Sequence, residues 1–363
     1  MVKVSAYVKG DRNSSSYYRY YQYFDKIENI DIKYHVMYPK WVENHFSPVG
    51  YQPLFIKVIV YIVAYFRMLI ALLVDLYYRP NTIIVSRRII NKYMPRHFKC
   101  IFSLILRRGA YFAWDFDDHI LEGRELTKSD FDFFSRKANV IFVTHQFLKD
   151  QVDMCYHHKT FIMPTTDGDM YKEAGNPILL KDRKETFKNM INLVWVAYSV
   201  NLEHLKTAVP ALDKAAKKLK KPLILNVVCD KPLEGETESL IINNVKWTKK
   251  SAIESMMNAH IGIMPLKPSE YSKGKGGFKL VQYISIGLPC IASNVGFNRE
   301  VLGDNVCGLL VETQQEWYNA VIELSKEENW EYYSSRAFTQ WKEHFSFERN
   351  LHQWEEVIKN HRI

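Results

Sequence analysis

At 363 residues, 47% hydrophobic and 25% charged, the chain has the composition of a globular protein and exceeds one typical core. Two domains of about 150 to 180 residues are expected, and the composition does not indicate disorder. The net charge of +9, from 49 Lys plus Arg against 40 Asp plus Glu, suits anionic partners such as nucleotide sugars, lipid headgroups or nucleic acid without choosing among them.

The N-terminal MVKVSAYVKG alternates like a strand and lacks the apolar core and cleavage site of a signal peptide. Five cysteines (Cys100, Cys155, Cys229, Cys290 and Cys307) show neither CxxC nor zinc spacing, which fits free, mostly buried thiols in a reducing compartment. A cytoplasmic location is therefore expected. After Gly10 the polar DRNSSS reads as a loop, and YYRYYQYFDKI has helical apolar spacing that carries Arg19. Arg19 is a candidate ligand-facing residue or an ordinary surface arginine of that helix.

Leu54 to Tyr78 is the most apolar stretch, but Lys57, Arg67 and Asp75 interrupt it, which argues against a bilayer-spanning helix. Two readings remain, a helix buried against the N-terminal sheet, which is favoured, and a face lying in a membrane interface, so peripheral contact with the inner membrane face stays open. Next, TIIVS (82 to 86) reads as a strand ending at Arg87 and Arg88. YFAWDFDDHI (111 to 120) is another strand, ending in Asp115, Asp117 and Asp118 with His119 after them. Such carboxylates at a sheet edge can orient a hydroxyl. The Asp-x-Asp pattern also matches a divalent-metal site, and an N-cap role for Asp117 or Asp118 is the structural alternative. NVIFVTH gives a further strand, followed by a helix from QFLKDQV.

Composition shifts to Pro, Gly and charged residues between about 170 and 190, where the domain boundary is expected. The second domain opens with INLVWVAYSV, and the loop after that strand holds Ser199. Further on, IGIMPLKPSEYSKGKGGFKLVQYISIGLPCIAS (261 to 293) reads strand, loop, helix, strand. Backbone can approach an anion closely at Gly274, Gly276 and Gly277. With a helix start near Gly276, Lys275, Lys279 and Gln282 share one face. That stripe fits a diphosphate seat, with Gln282 reaching a ribose, or a solvated lysine face. The aromatic C-terminal section (Trp330, Trp341, Trp354) fits packing helices.

The run GKGGFKLVQYISIGLPCIASNVGFNRE resembles the donor-site segment of family 4 retaining glycosyltransferases, most closely the branch with a GKxGxKLxQY signature. WVAYSVNLEHLK (195 to 206) is similar to the first strand and loop of that family's C-terminal domain, and FIMPTTDGDMY (161 to 171) to the segment entering its interdomain linker. The family's usual Glu pair is replaced here by Gly274 and Gln282. The resemblance implies an α/β GT-B fold, with two Rossmann-like domains of parallel sheet facing across a cleft and a C-terminal helix crossing back to the first domain. The corresponding limits are 1–175, 190–340 and 341–363.

It also implies a hexosyltransferase-like enzyme moving a sugar from a nucleotide diphosphate sugar to a glycan or lipid-linked acceptor in cell-surface polysaccharide synthesis. No metal or other cofactor and no nucleic acid partner are expected. Asp117, Asp118, Lys275 and Lys279 are the catalytic candidates; Ser199, Gly274, Gly276, Gly277, Gln282 and Glu300 line the donor; Arg19, Arg87 and His119 lie on the acceptor side. A non-hydrolysing nucleotide sugar epimerase and a catalytically silent nucleotide-sugar binder are the alternatives.

Overall fold

The computed structural model describes residues 1–11, 14–46, 53–170 and 177–361; Arg12 and Asn13 of the Ser-rich loop and 171–176 of the expected linker lie outside the described residues. The chain divides into two compact units, residues 1–165 with 348–363, and residues 166–347.

In the first unit, strands β1 (Val2–Gly10), β2 (Ile30–Tyr38), β3 (Thr82–Ser86), β4 (Tyr111–Phe116), β5 (Val140–Val143) and β6 (Thr160–Ile162) form a sheet in the order β2-β1-β3-β4-β5-β6. Every pairing is parallel. A parallel sheet must be covered on both faces, and TIIVS and VIFV are accordingly buried at every position. One face packs Tyr7, Ile83, Val85, Phe112 and Trp114 into a continuous core. The other receives the C-terminal segment, where Trp354 packs edge-on or tilted among Tyr20, Phe24 and Phe142. Asn350 fastens that segment by donating to the Pro164 carbonyl at 2.6 Å and the Tyr23 hydroxyl at 3.1 Å.

Two buried carboxylates tie helices to this sheet. Asp75, on the helix Leu54–Tyr78, accepts from Ser5 Oγ (2.8 Å) and Tyr7 OH (2.7 Å) and lies 3.0 Å from His35 Nε2. Asp115 accepts from Arg19 Nε (3.1 Å), Arg19 Nη2 and Tyr20 OH. Arg19 is 2% exposed, and its Nη1 donates to the Met163 carbonyl (2.6 Å) and Thr165 Oγ1 (3.3 Å). Burial alone would lower the Arg19 pKa; Asp115 more than reverses that and keeps the guanidinium charged. Arg19 is therefore a buried residue and not a surface one, its guanidinium held by Asp115, Met163 and Thr165.

The helix Leu54–Tyr78 departs from the favoured expectation of burial. Its buried residues are Ala64, Met68, Ala71, Leu72 and Asp75, a narrow stripe against the sheet. The opposite stripe is apolar and open to solvent, with Ile62 47%, Phe66 55% and Ile70 59% exposed.

The second unit holds β7 (Ile191–Val196), β8 (Leu223–Cys229), β9 (Ile241–Lys246), β10 (Ile261–Met264), β11 (Cys290–Ser293) and β12 (Gly308–Val311). Their order is β12-β11-β10-β7-β8-β9, again all parallel. Alternate residues feed two cores, Leu193, Trp195 and Ile263 on one face and Val194, Val196 and Ala292 on the other. β9 carries the polar sequence IINNVK because it is an exposed edge strand, and it shows no apolar run.

Both unit boundaries differ from the sequence-based limits. The division falls at 165/166 because Thr166 and Asp167 bond to Trp341 and Gln282 and Met170 packs in a core of the second unit, to which the helix Pro177–Phe187 also belongs. There the buried Arg183 donates to the carbonyls of Met257 (2.9 Å), Met256 (3.2 Å) and Ile286 (2.6 Å). Likewise the returning segment starts at Glu348 and not at 341, since Trp341 on the helix Glu327–His344 is buried in the second unit and donates to Thr166 Oγ1 at 3.3 Å. Cys100 and Cys155 are exposed, and the other three cysteines are buried; all five are free.

Removing Arg19 would leave Asp115 as a buried, uncompensated charge. Arg19→Ala is expected to lower the unfolding free energy by about 3–5 kcal/mol in urea titration. The double variant Arg19→Met/Asp115→Leu should recover most of that loss.

Candidate functional site

In the second unit the strand order reverses direction beside β7, with β10 on one side and β8 on the other. Open parallel sheets bind ligands at such a switch point, beyond the carboxyl ends of the strands. The loop after β7 is braced from both directions. Asp230, just past β8, accepts from the Ser199 backbone N–H at 2.6 Å and from Ser199 Oγ at 2.8 Å. From the β10 side, the Lys267 backbone N–H donates to His204 Nδ1 at 3.0 Å, and Lys275 Nζ donates to Asn201 Oδ1 at 2.5 Å. Lys275 thus bridges the switch point.

The helix behind this loop is Phe278–Ser285, which begins two residues later than expected, with Gly277 as its N-cap at φ +58°. A side chain at 277 would be strained and would press on Phe297 and Val301 of the neighbouring turn. Gly262 on β10 leaves room for the ring of Tyr283, whose hydroxyl accepts the Val196 N–H at 3.1 Å. The helix is therefore keyed directly to the end of β7. Its first turn presents N–H groups that have no partner within the helix and the positive end of its dipole.

The electrostatics are one-sided. Burial, with Lys275 and Lys267 nearby, pushes the His204 pKa down to about 4, so this imidazole is neutral at physiological pH. Burial also pushes Lys279 down to about 8, against the pull of Asp167. Among the described residues at this edge, the carboxylates are engaged. Asp230 is held below the usual range by its bonds from Ser199, which outweigh its partial burial, and Glu270 pairs with Lys273 at 2.6 Å. Lys275, bonded to the Asn201 amide, and the neutral imidazole of His204 thus stand together at this edge, an arrangement that favours an anion.

The predicted stripe divides in two. Lys275 faces the β7 loop, whereas Lys279 donates to Gln282 Oε1 at 2.8 Å and Gln282 donates onward to the buried Asp167. Both ends of the Gln282 amide are thus engaged inside the unit. The Gly274 N–H is taken by the carbonyls of Glu270 (3.3 Å) and Tyr271 (3.2 Å), and the Ser199 N–H by Asp230. Gly276 and Gly277 lead into the helix start. Glu300 is exposed on the turn Asn298–Val301, whose Phe297 and Val301 border Gly277. Asn201, His204, Asp167 and Asp230 were not singled out from sequence. The AsxGlyAsp run at 167 to 169 was the available signal for Asp167, which caps the N–H groups of Asp169 (2.8 Å) and Met170 (3.3 Å).

The first unit has its own charged edge. Arg87, at φ +58°, donates to Asp117 Oδ1 (2.6 Å), Asp118 Oδ2 (2.6 Å) and Glu125 Oε1 (3.0 Å). Arg88 pairs with the other oxygen of Glu125. Although burial opposes it, Arg87 holds the Asp117 carboxyl below the usual range, which makes it an oriented hydrogen-bond acceptor and a weak base. Lys9, at the end of β1, is lowered to about 8 by burial and by Arg87 and Arg88. His119 is half-buried beside Phe147, its ring centroid 5.6 Å away. No group of three or more His, Cys, Asp or Glu side chains that could hold a metal ion occurs among the described residues.

Residues 192–327, all within the second unit, match the profile of the family described as Glycosyl transferases group 1. No curated protein matches the chain by sequence. Solved structures are similar over nearly the whole length. A glycosyltransferase from Rickettsia africae has 13% identity and a TM-score of 0.65, covering 99% of this chain and 98% of its own. The HepE protein of Anabaena in complex with UDP has 13% identity and a TM-score of 0.66, covering 99% and 100%. Sucrose-phosphate synthase from Thermosynechococcus elongatus has 10% identity and a TM-score of 0.63, covering 99% of each chain. At such identities the likeness establishes the fold, which is GT-B.

If Lys275 helps to hold His204 neutral, Lys275→Ala is expected to move the His204 pKa upward from about 4, with burial and Lys267 keeping it below 6.5. Histidine NMR titration of the variant reads this directly; an unmoved pKa would separate the two side chains.

Proposed function

We propose that the protein is a glycosyltransferase that takes a sugar from a nucleotide diphosphate sugar held on the second unit. The observation that carries this reading is the cation-rich switch point, where Lys275 bridges to Asn201 across the end of β7 and His204 is neutral. The profile match spans the same loops, and HepE is a structural relative solved with UDP, which makes uridine diphosphate sugars the first donors to test. In the proposed step the bond from anomeric carbon to diphosphate oxygen breaks, the acceptor oxygen forms the new glycosidic bond, its proton passes to the departing diphosphate oxygen, and the nucleoside diphosphate leaves. Lys275, Lys279 and the N-terminus of the helix Phe278–Ser285 stabilise the charge that grows on the departing diphosphate.

Gly274 and Gln282 supply no carboxylate at the donor-site turn, so Glu300 is the carboxylate assigned to the transferred sugar. Asp117 and Asp118, fixed by Arg87, would orient the acceptor hydroxyl, which we assign to a glycan or a lipid-linked sugar. The family 4 resemblance supports retention of anomeric configuration, without a metal.

Donor binding should be linked to protonation of Lys279. The protonated amine attracts the diphosphate, so affinity is full below about pH 8 and falls as the pH rises through the free-state pKa. Calorimetry of UDP binding near that pH, in buffers of different ionisation enthalpy, should show proton uptake that Lys279→Met abolishes. Lys275→Ala/Lys279→Ala should lower transfer by about 10³-fold or more with an unchanged melting profile. Unaltered turnover would refute the assignment, and donor conversion without any acceptor would indicate epimerisation.

A further inference from the structure

The helix Leu54–Tyr78 is the one helix, among the described residues, long and apolar enough to cross a membrane, with 25 residues. It is nevertheless fixed to a folded unit. Asp75 is bound by Ser5 and Tyr7, and Arg67 Nε donates to the Val36 carbonyl at 3.0 Å. These contacts hold the helix flat along the sheet. Its outward residues Ile59, Ile62, Phe66, Ile70, Leu73 and Tyr77 recur at intervals of three and four, one stripe roughly 25 Å long. All are exposed, and Tyr77 is 92% so. An exposed apolar surface of this extent marks an interaction site.

The charges around the stripe select its occupant. The helix's one acidic residue, Asp75, is buried, so the outward face carries no carboxylate. At its C-terminal end an open groove of about 480 Å³ is lined by Ile70, Leu73, Val74 and Tyr77 together with Lys3 and Lys33. Lys3 Nζ lies 3.4 Å from the Tyr78 carbonyl, and Lys33 Nζ lies 3.7 Å above the Tyr78 ring. Arg79 is exposed one residue beyond, and Arg108, also exposed, reaches the Leu76 carbonyl at 2.7 Å. A second copy of this chain would bring these cations together with no acid on the helix to meet them. An anionic bilayer supplies both hydrocarbon for the stripe and negative headgroups for its basic end.

We propose that this face docks the first unit onto an anionic lipid surface, with the helix lying in the plane of the interface. The test is co-sedimentation of the full chain with vesicles of phosphatidylcholine alone and of phosphatidylcholine mixed with phosphatidylglycerol, and it does not depend on the sugar-transfer reading. The wild type should pellet with the mixed vesicles far more than with the neutral ones, and salt should reduce this binding. Ile62→Gln/Phe66→Gln/Ile70→Gln should remain in the supernatant while melting as the wild type does, and Lys3→Glu/Lys33→Glu should lose the preference for anionic vesicles. Wild-type protein that ignores both vesicle types, or a triple variant that pellets normally, would overturn the proposal. So would a dimer seen by light scattering that the triple variant dissociates while vesicles bind nothing; that outcome assigns the face to a second copy.

Discussion

Two sheets made wholly of parallel strands impose the constraint from which the remaining features follow. Each must be covered on both faces, so charged groups have two places to go: buried pairings that fasten the covering elements, or the strand ends where loops escape. Asp75 and Asp115 exemplify the first, each satisfied by several donors and each holding a helical segment against the same sheet. Arg87, Lys275 and their neighbours exemplify the second.

The two edges differ in their electrical balance. In the first unit Arg87 is saturated by Asp117, Asp118 and Glu125, a nearly neutral lattice that fixes geometry and leaves little force for capturing an ion. In the second, Asp230 is bound by the Ser199 hydroxyl and Glu270 by Lys273, while Lys275 donates to the Asn201 amide beside the neutral His204. The bias toward an anion therefore resides in the second unit, and positioning of a neutral group suits the first.

Strands such as TIIVS, VIFV, IGIM and CIAS were legible because burial on both faces writes a continuous apolar run. The glycine and lysine segment was legible because a strand-loop-helix pattern is local. Partners distant in sequence were not. Asp115 lies 96 residues from Arg19, Asn201 lies 74 from Lys275, and Asp167 lies 115 from Gln282. No periodicity encodes those meetings, so Arg19 read as a ligand-facing or a surface residue and Gln282 as an available amide. The helix Leu54–Tyr78 misled for another reason: its outward stripe is as apolar as its inward one, and composition then carries no sense of direction.

The segment 348–363 is assigned by contact to the unit that begins the chain, and Trp354, Val357 and Ile358 are fully buried there. On a ribosome that unit must wait, with one wall of its interior missing, until the whole of the second has been made. The later unit, continuous from 166 to 347, has no such delay. Synthesis order and completion order of the two units are thus reversed, and losing the turns around Trp354 uncovers Tyr20, Phe24 and Phe142 in the earlier one.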